Sequence, residues 1–147
     1  MEKSAHIDTY ARDHLPPLDE WPELLLDGNP DVAYPPRLNC AVALVDDLVA
    51  AGHGDRIALH WREGSERRSM SYRRLMELCN QIAHVLVEDL GLVPGNRVLL
   101  RGPNNVMMAA TWLAAVKAGL VTVPTMPLLR AGELKKIIDK AKVQAVL

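Results

Sequence analysis

Residues 114–127 read AAVKAGLVTVPTMP and carry the clearest fold signal in this chain of 147 residues. A helical pattern stops at Gly119, and the short β-rich run that follows it ends at Pro124. The same alternation extends outward, from the apolar run at 97–101 to the last run at 144–147. Short strands that alternate with helices of about 10–15 residues indicate crossover units and a parallel sheet. The sequence therefore predicts an α/β fold with a βαβαβ subdomain and right-handed crossovers.

The same periodicity gives the expected position of each element. The strands at Val98, Val121 and Val146 should be mutually parallel in one sheet. Helix 106–118 is apolar nearly all round, so we expect it to pack on that sheet and to be buried on most sides. The predicted elements are helices at 39–51, 71–90, 105–118 and 131–142, and strands at 57–62, 67–70, 97–101, 120–124 and 144–147, the first two of which form a β-hairpin.

The first 37 residues differ in composition from the rest of the chain. They are rich in proline, aspartate and glutamate, and each proline fixes φ and removes a backbone donor. We therefore expect an extended arm over 1–37 and a domain over 38–147. The apolar residues of the arm, Leu15, Trp21 and Leu24 to Leu26, are expected to hold it against that domain.

The bulk composition excludes several classes of protein. Hydrophobic residues make up 49% and charged residues 24%, as in ordinary globular domains, and the formal net charge is −1. A chain so close to neutral has no overall positive electrostatic field that would attract nucleic acid or an anionic membrane. The N-terminus lacks the apolar segment of a signal peptide, and the run 106–116 is shorter than the ~20 residues of a membrane span. We expect a cytoplasmic protein without nucleic-acid or membrane partners.

No catalytic constellation is visible in the residues themselves. Cys40 and Cys79 each fall within an apolar helical pattern, which favours two buried, reduced thiols. Gly52-x-Gly54 is half of a dinucleotide fingerprint, but it lacks a third glycine and a preceding strand, so a helix stop is favoured. The five histidines have no metal-ligand spacing, and the basic run Arg67-Arg68, Arg73-Arg74 is more typical of a solvated hairpin and helix start than of a nucleic-acid interface.

Three motifs in order resemble those of the adenylate-forming enzymes, which are the acyl- and aryl-CoA synthetases and their relatives. Met70-Ser-Tyr-Arg-Arg-Leu75 is similar to the first core motif of that family, and Ala115-Val-Lys-Ala-Gly-Leu-Val-Thr-Val-Pro124 is similar to the second. Arg97-Val-Leu-Leu-Arg-Gly-Pro-Asn104 stands in the expected place between them. The resemblance implies that this chain is the incomplete N-terminal part of a larger domain.

The arm carries a narrower resemblance. Asp8-Thr-Tyr-Ala-Arg-Asp-His-Leu-Pro-Pro17, then Trp21-Pro-Glu-Leu24, then Tyr34-Pro-Pro-Arg-Leu-Asn-Cys40 resemble the start of 2-aminobenzoate–CoA and benzoate–CoA ligases. This implies that the full-length enzyme is an acid–thiol ligase (AMP-forming). Such an enzyme joins an aromatic carboxylate to ATP, releases pyrophosphate, and passes the acyl group from AMP to the thiol of CoA, with Mg²⁺ assisting.

The resemblance also implies which parts of the enzyme lie elsewhere. The loop whose lysine holds the ATP phosphates, the acid pocket and the small C-terminal domain would all follow Leu147. We therefore assign no catalytic or metal-binding residue, and we expect the chain alone to be inactive and to expose apolar surface. It should then self-associate or pack against the remainder of the same chain. The alternative is a self-contained α/β module that binds a partner or a small ligand without catalysis.

One cofactor-binding residue follows from the resemblance. In several CoA ligases of this family, a basic residue just after the Val-Pro strand meets the nucleotide phosphate of CoA. The position that lines up here is Leu128, which cannot do so, whereas Arg130 lies two residues further on. A guanidinium can grip a phosphate through two parallel hydrogen bonds, so we assign Arg130 to the CoA phosphate. The alternative is a solvated arginine at the start of a helix.

Overall fold

The computed structural model describes residues 4–23, 29–30, 34–35 and 37–147, and it contains the predicted βαβαβ unit. Its elements are β3 (Arg97–Arg101), α3 (Val106–Lys117), β4 (Val121–Thr125), α4 (Ala131–Ala141) and β5 (Ala145–Val146). The strands form one sheet in the order β4-β3-β5, and both outer strands pair with β3 in parallel. The prediction of three mutually parallel strands is confirmed.

The two crossovers step in opposite directions along this sheet. β4 lies on one side of β3, and the chain then returns past β3 to form β5 on the other side. Right-handed crossovers of opposite direction place α3 and α4 on opposite faces. Val98 and Leu100 pack in one cluster with Ala115 of α3, whereas Leu99 points to the other face and is fully buried there. The central strand is therefore covered on both faces.

An antiparallel hairpin precedes the parallel sheet, as predicted. Strand β1 (Ile57–Glu63) pairs with β2 (Glu66–Ser71) around a turn at 64–65, where Gly64 adopts a positive φ of 62°. Leu59 and Met70 are register partners, and both pack against the apolar cluster beside α3. The hairpin is thus anchored through one face and leaves the other face open.

Asn39 joins two helices at their ends. Its Oδ1 accepts hydrogen bonds from the backbone nitrogens of Ala41 and Val42, which caps helix 40–53. Its Nδ2 donates to the carbonyl oxygen of Lys117 at 3.0 Å, in the last turn of α3. The cap at Asn39 agrees with the predicted start of this helix. The same side chain connects the helix to α3.

Helix α2 (Tyr72–His84) follows the hairpin and continues as a wider, π-type turn at Val85–Asp89. Ser71 caps it, since its Oγ accepts a hydrogen bond from the backbone nitrogen of Arg74. Gly91 follows with a φ of 62°, the left-handed conformation that favours glycine after a helix. The helix packs on α3 through a cluster made of Val45, Leu75, Cys79, Ala110 and Ala114.

The arm contacts the amino-terminal edge of the parallel sheet through polar groups. The backbone nitrogens of Ile7 and Asp8 both donate to the carbonyl oxygen of Pro94. Gly95, with a φ of 93°, makes this approach possible, because a Cβ there would lie 2.0 Å from the carbonyl oxygen of Asp8. The short helix α1 (Tyr10–Asp13) follows, and its Tyr10 hydroxyl donates to the carbonyl oxygen of Lys140.

Two of the expected apolar anchors of the arm do not hold it. Leu15 and Trp21 are both exposed, and the Trp21 indole donates to the carbonyl oxygen of Pro16 within the arm itself. That prediction is wrong for these two residues. The backbone hydrogen bonds to Pro94 and an ion pair between Asp8 and Arg97 attach the arm instead. Leu24 to Leu26 lie outside the described residues.

One prediction of burial is wrong and another is confirmed. Cys79 is buried, but Cys40 is exposed in the first turn of its helix, next to the cap. Helix α3 is buried on most sides, as predicted, and only Met107 (53%) and Trp112 (37%) are exposed along it. It packs on the sheet, on α2 and on helix 40–53, whose Val45 lies in one cluster with Ala110 and Ala114.

Candidate functional site

The carboxyl ends of β3 and β4 form the switch point of the parallel sheet. The loop at 102–105 leads from β3 to α3, and the loop at 126–130 leads from β4 to α4. Because the two helices cover opposite faces, the loops diverge and leave a crevice between them. Open α/β sheets bind their ligands outside the carboxyl ends of the strands at such a point. This edge is therefore the candidate functional site.

Arg101, the last residue of β3, spans the crevice. Its Nη2 donates hydrogen bonds to the carbonyl oxygens of Pro127 at 2.6 Å and Leu129 at 3.2 Å. In the same pair of strands, the Thr125 hydroxyl donates to the carbonyl oxygen of Leu100 at 3.1 Å. A side chain from β3 thus holds the loop after β4 and sets where α4 begins.

Arg130 lies at the end of that loop, at the N-terminus of α4. Its backbone nitrogen donates to Glu133 Oε2 at 2.9 Å, which fixes the first turn of the helix. The Arg130 side chain is exposed and makes no ion pair with any residue that the structure describes. Lys135 is paired with Asp139 at 2.7 Å, and Leu128 is 87% exposed. Of these positions, Arg130 offers the unpaired cation nearest to the crevice loop.

A small cavity lies beside β3 at the same end of the sheet. Its volume is about 180 Å³, and its lining includes Gly102, Met108, Thr111 and Leu147. Asn105 also lines it, and its Oδ1 accepts a hydrogen bond from the backbone nitrogen of Met108, which caps α3. The lining is mostly apolar and contains no titratable side chain, so it can hold an apolar group but cannot move a proton.

The candidate site offers no metal ligands and no glycine-rich phosphate-binding loop among the described residues. Within the described residues, no group of His, Cys, Asp and Glu could hold a metal ion. The sequence also lacks a Gly-x-x-x-x-Gly-Lys-Ser/Thr loop. The site supplies a positioned loop and a cation, and no catalytic step can be assigned to it. No helix in the described part of the chain has the length and apolar character needed to cross a membrane.

Two arginines of β3 were missed by sequence reasoning. Arg101 holds the crevice loop, and Arg97, only 4% exposed, occupies the opposite end of the strand. Arg97 donates to the carbonyl oxygens of Gly95, Ala141 and Lys142. The sequence does show an arginine on each side of the apolar run 98–100. Such flanking arginines indicate that each end of the strand can donate hydrogen bonds to neighbouring segments.

Residues 47–147 match the family described as AMP-binding enzyme. The chain belongs to the AMP-binding enzyme family. The matched range contains the hairpin, α2, the whole parallel sheet and both loops of the candidate site. The resemblance of the three core motifs to adenylate-forming enzymes is therefore confirmed at the level of the family.

Similar proteins of this family include acyl–CoA ligases of bacteria. The chain is 35% identical over 95 residues to the uncharacterized acyl–CoA ligase YtcI of Bacillus subtilis, which covers 64% of this chain and 18% of the relative. It is 40% identical over 88 residues to the acetyl-coenzyme A synthetase of Mycobacterium tuberculosis, which covers 58% of this chain and 13% of that enzyme. The chain thus spans less than a fifth of the length of these relatives.

The fold also matches solved structures of the family. One is the anthranilate CoA ligase AuaEII in complex with anthranoyl-AMP, with a TM-score of 0.64 and 22% sequence identity. The match covers 72% of this chain and 19% of that protein. The predicted α/β class, with its parallel three-stranded sheet and antiparallel hairpin, is therefore confirmed as the fold of the N-terminal region of these enzymes.

Proposed function

We propose that this chain is the N-terminal part of an acid–thiol ligase (AMP-forming). The observation that carries the proposal is the match of residues 47–147 to the AMP-binding enzyme family, together with the identity to acyl–CoA ligases. The full-length protein would form an acyl adenylate from a carboxylate and ATP, release pyrophosphate, and transfer the acyl group to the thiol of CoA. ATP, CoA and Mg²⁺ would be its cofactors, and the protein would act in the cytoplasm.

Within that enzyme, the described residues would act as a scaffold and as part of the CoA entrance. Arg101 would keep the loop at 126–130 in place, and Arg130 would hold a phosphate of CoA. The support is geometric, since Arg101 fixes the loop through two carbonyl oxygens and the exposed Arg130 follows it directly. A guanidinium presents paired donors that match two phosphate oxygens.

We further propose an aromatic acid as the substrate. The support is the arm, whose segments at 8–17, 21–24 and 34–40 resemble the start of benzoate–CoA and 2-aminobenzoate–CoA ligases. An anthranilate CoA ligase has the same fold in this region. The test is acyl-CoA formation by the full-length protein with benzoate, 2-aminobenzoate and acetate. The proposal predicts a higher kcat/KM for one of the aromatic acids, and a preference for acetate would overturn it.

The chain alone would be inactive and would associate through its exposed apolar edge. Val146 is 56% exposed on a strand at the side of the sheet, and Met126 and Leu128 are exposed near the same end. Exposed apolar side chains beside an open sheet edge promote association. The remainder of the parent chain would cover them, and the isolated chain would self-associate, which light scattering tests.

A further inference from the structure

The outward face of the β1–β2 hairpin carries two arginines directly opposite each other. Arg62 and Arg67 are register partners, and the next pair on the same face is His60 with Ser69. All four residues are exposed. Opposite residues on one face of an antiparallel pair have Cβ atoms about 5 Å apart, and like charges placed there destabilise the pairing. The hairpin therefore contains a repulsion that a bound anion would remove.

The acidic residues of the hairpin do not relieve this repulsion. Glu63 and Glu66 lie on the opposite face of the ribbon, where both pair with Arg68, at 3.4 Å and 2.7 Å. Neither Arg62 nor Arg67 makes an ion pair with another residue in the described ranges. Two carboxylates thus neutralise one arginine, while the outward pair stays without compensation.

A depression of about 360 Å³ is lined by His60, Arg62 and Arg67 of this face and also by residues 61 and 68, which belong to the other face of the ribbon. Guanidinium groups bind phosphate oxygens through paired N–H donors, and imidazole and hydroxyl groups can add further donors. We infer that this face of the hairpin binds the diphosphate group of a soluble small molecule, with one arginine on each phosphate. The site uses neither Arg130 nor the crevice at the sheet edge, so it does not rest on the proposed function.

The charge distribution favours a small ligand over a polymer. A nucleic-acid surface needs a basic stripe that follows several successive phosphates, and this face offers a single arginine pair. The chain as a whole has a formal net charge of −1, so it provides no general positive field that would attract a polyanion. A diphosphate places two charged groups next to each other, which matches a pair of opposed guanidinium groups.

The test is calorimetric titration of the 147-residue chain with inorganic pyrophosphate, against sodium chloride of equal ionic strength. Arg62→Gln and Arg67→Gln should each weaken pyrophosphate binding about tenfold, since each removes one charge-assisted contact. Arg74→Gln, which makes the same charge change on α2, where Arg74 pairs with Glu77, should leave binding unchanged. Absence of binding to the wild-type chain, or equal weakening by Arg74→Gln, would overturn the inference. Tighter binding of an acidic peptide than of pyrophosphate would also overturn it.

A second variant separates binding from folding. Arg67→Glu replaces the Arg–Arg repulsion by an opposite-charge pair, so it should raise the thermal unfolding temperature in the absence of anion. The same variant should lose the rise in unfolding temperature that pyrophosphate gives the wild-type chain. A lower unfolding temperature without anion would show that the two arginines do not repel each other, and the inference would fail.

Discussion

Arg97 Nη1 lies 2.6 Å from Asp8 Oδ2, and this ion pair joins the arm to the central strand of the parallel sheet. The Arg97 side chain is only 5% exposed, and its guanidinium also stacks on the Tyr10 ring, with Cζ 4.7 Å from the ring centroid. The described part of the arm is therefore attached to the sheet by this ion pair and by the backbone hydrogen bonds of Ile7 and Asp8 to Pro94.

The first prediction concerns this ion pair. Asp8→Asn should lower the free energy of unfolding by about 2 kcal/mol, because it leaves a nearly buried guanidinium without its charged partner. The carbonyl acceptors of Arg97 remain, which keeps the loss moderate. Urea unfolding followed by circular dichroism measures it. The control is Asp13→Asn, an exposed carboxylate of the arm that accepts from the Thr9 hydroxyl. Equal effects of the two variants would contradict the role given to Arg97.

The second prediction is the pH dependence of the same contact. The backbone N–H of Tyr10 and the Arg97 guanidinium hold the pKa of Asp8 below its ordinary value of 3.8. Folding therefore favours the carboxylate, so the contribution is present above pH 3.8 and is lost as the pH falls from there through the lower pKa of the folded state. The difference in unfolding free energy between wild type and Asp8→Asn should be constant near neutral pH and should disappear in acid. A difference that persists in acid would refute this.

The third prediction concerns the two thiols. Burial raises the pKa of Cys79 to about 11, and its Sγ donates to the carbonyl oxygen of Ala110. A buried thiol that stays protonated reacts slowly, because the thiolate is the nucleophile. At pH 8, a maleimide should label Cys40 in the folded protein and reach Cys79 only after unfolding. Peptide mapping by mass spectrometry measures both sites, and equal labelling rates in the folded protein would argue against the buried position.

The fourth prediction tests Arg130 in the full-length protein. Arg130→Ala should raise the KM for CoA about tenfold, because one charge-assisted phosphate contact is lost, and should leave the KM for the acid unchanged. Arg74→Ala is the matched control, since Arg74 lies on α2 and pairs with Glu77 at 3.1 Å. Steady-state kinetics with CoA and the acid varied in turn measures both effects. An unchanged KM for CoA would remove Arg130 from the site.

Much of the fold could be predicted because the signals are local. The alternation of apolar runs with helical segments, with a helix that stops at Gly119 and a β-rich run that ends at Pro124, predicted the parallel sheet. The cap at Asn39 and the stop at Gly91 predicted the ends of two helices to within a few residues. Sheet order was not predicted, because local patterns carry no information on which strand lies in the centre. The order places Val98 to Leu100 between two partners, which explains their complete burial.

The candidate site was harder to predict, because its contacts join segments that are distant in sequence. The roles of Arg97 and Arg101 depend on carbonyl oxygens from segments far away in sequence, such as Ala141 and Pro127. The exposed state of Cys40 depends on how its helix packs, since periodicity alone suggested burial. Arg130 came from the resemblance, and the structure adds the loop that positions it.

We propose that the parent protein is an AMP-forming ligase and that this chain, its N-terminal part, is inactive alone. The most direct measurement is carboxylate-dependent ATP–pyrophosphate exchange, run in parallel on the full-length protein and on the 147-residue chain. Preorganised donors are needed for the charge that develops on phosphorus, and no residue described in this chain supplies them. We expect exchange by the full-length protein with benzoate or 2-aminobenzoate and only background with the chain alone. Exchange by the chain alone, or none by the full-length protein with any carboxylate, would contradict it.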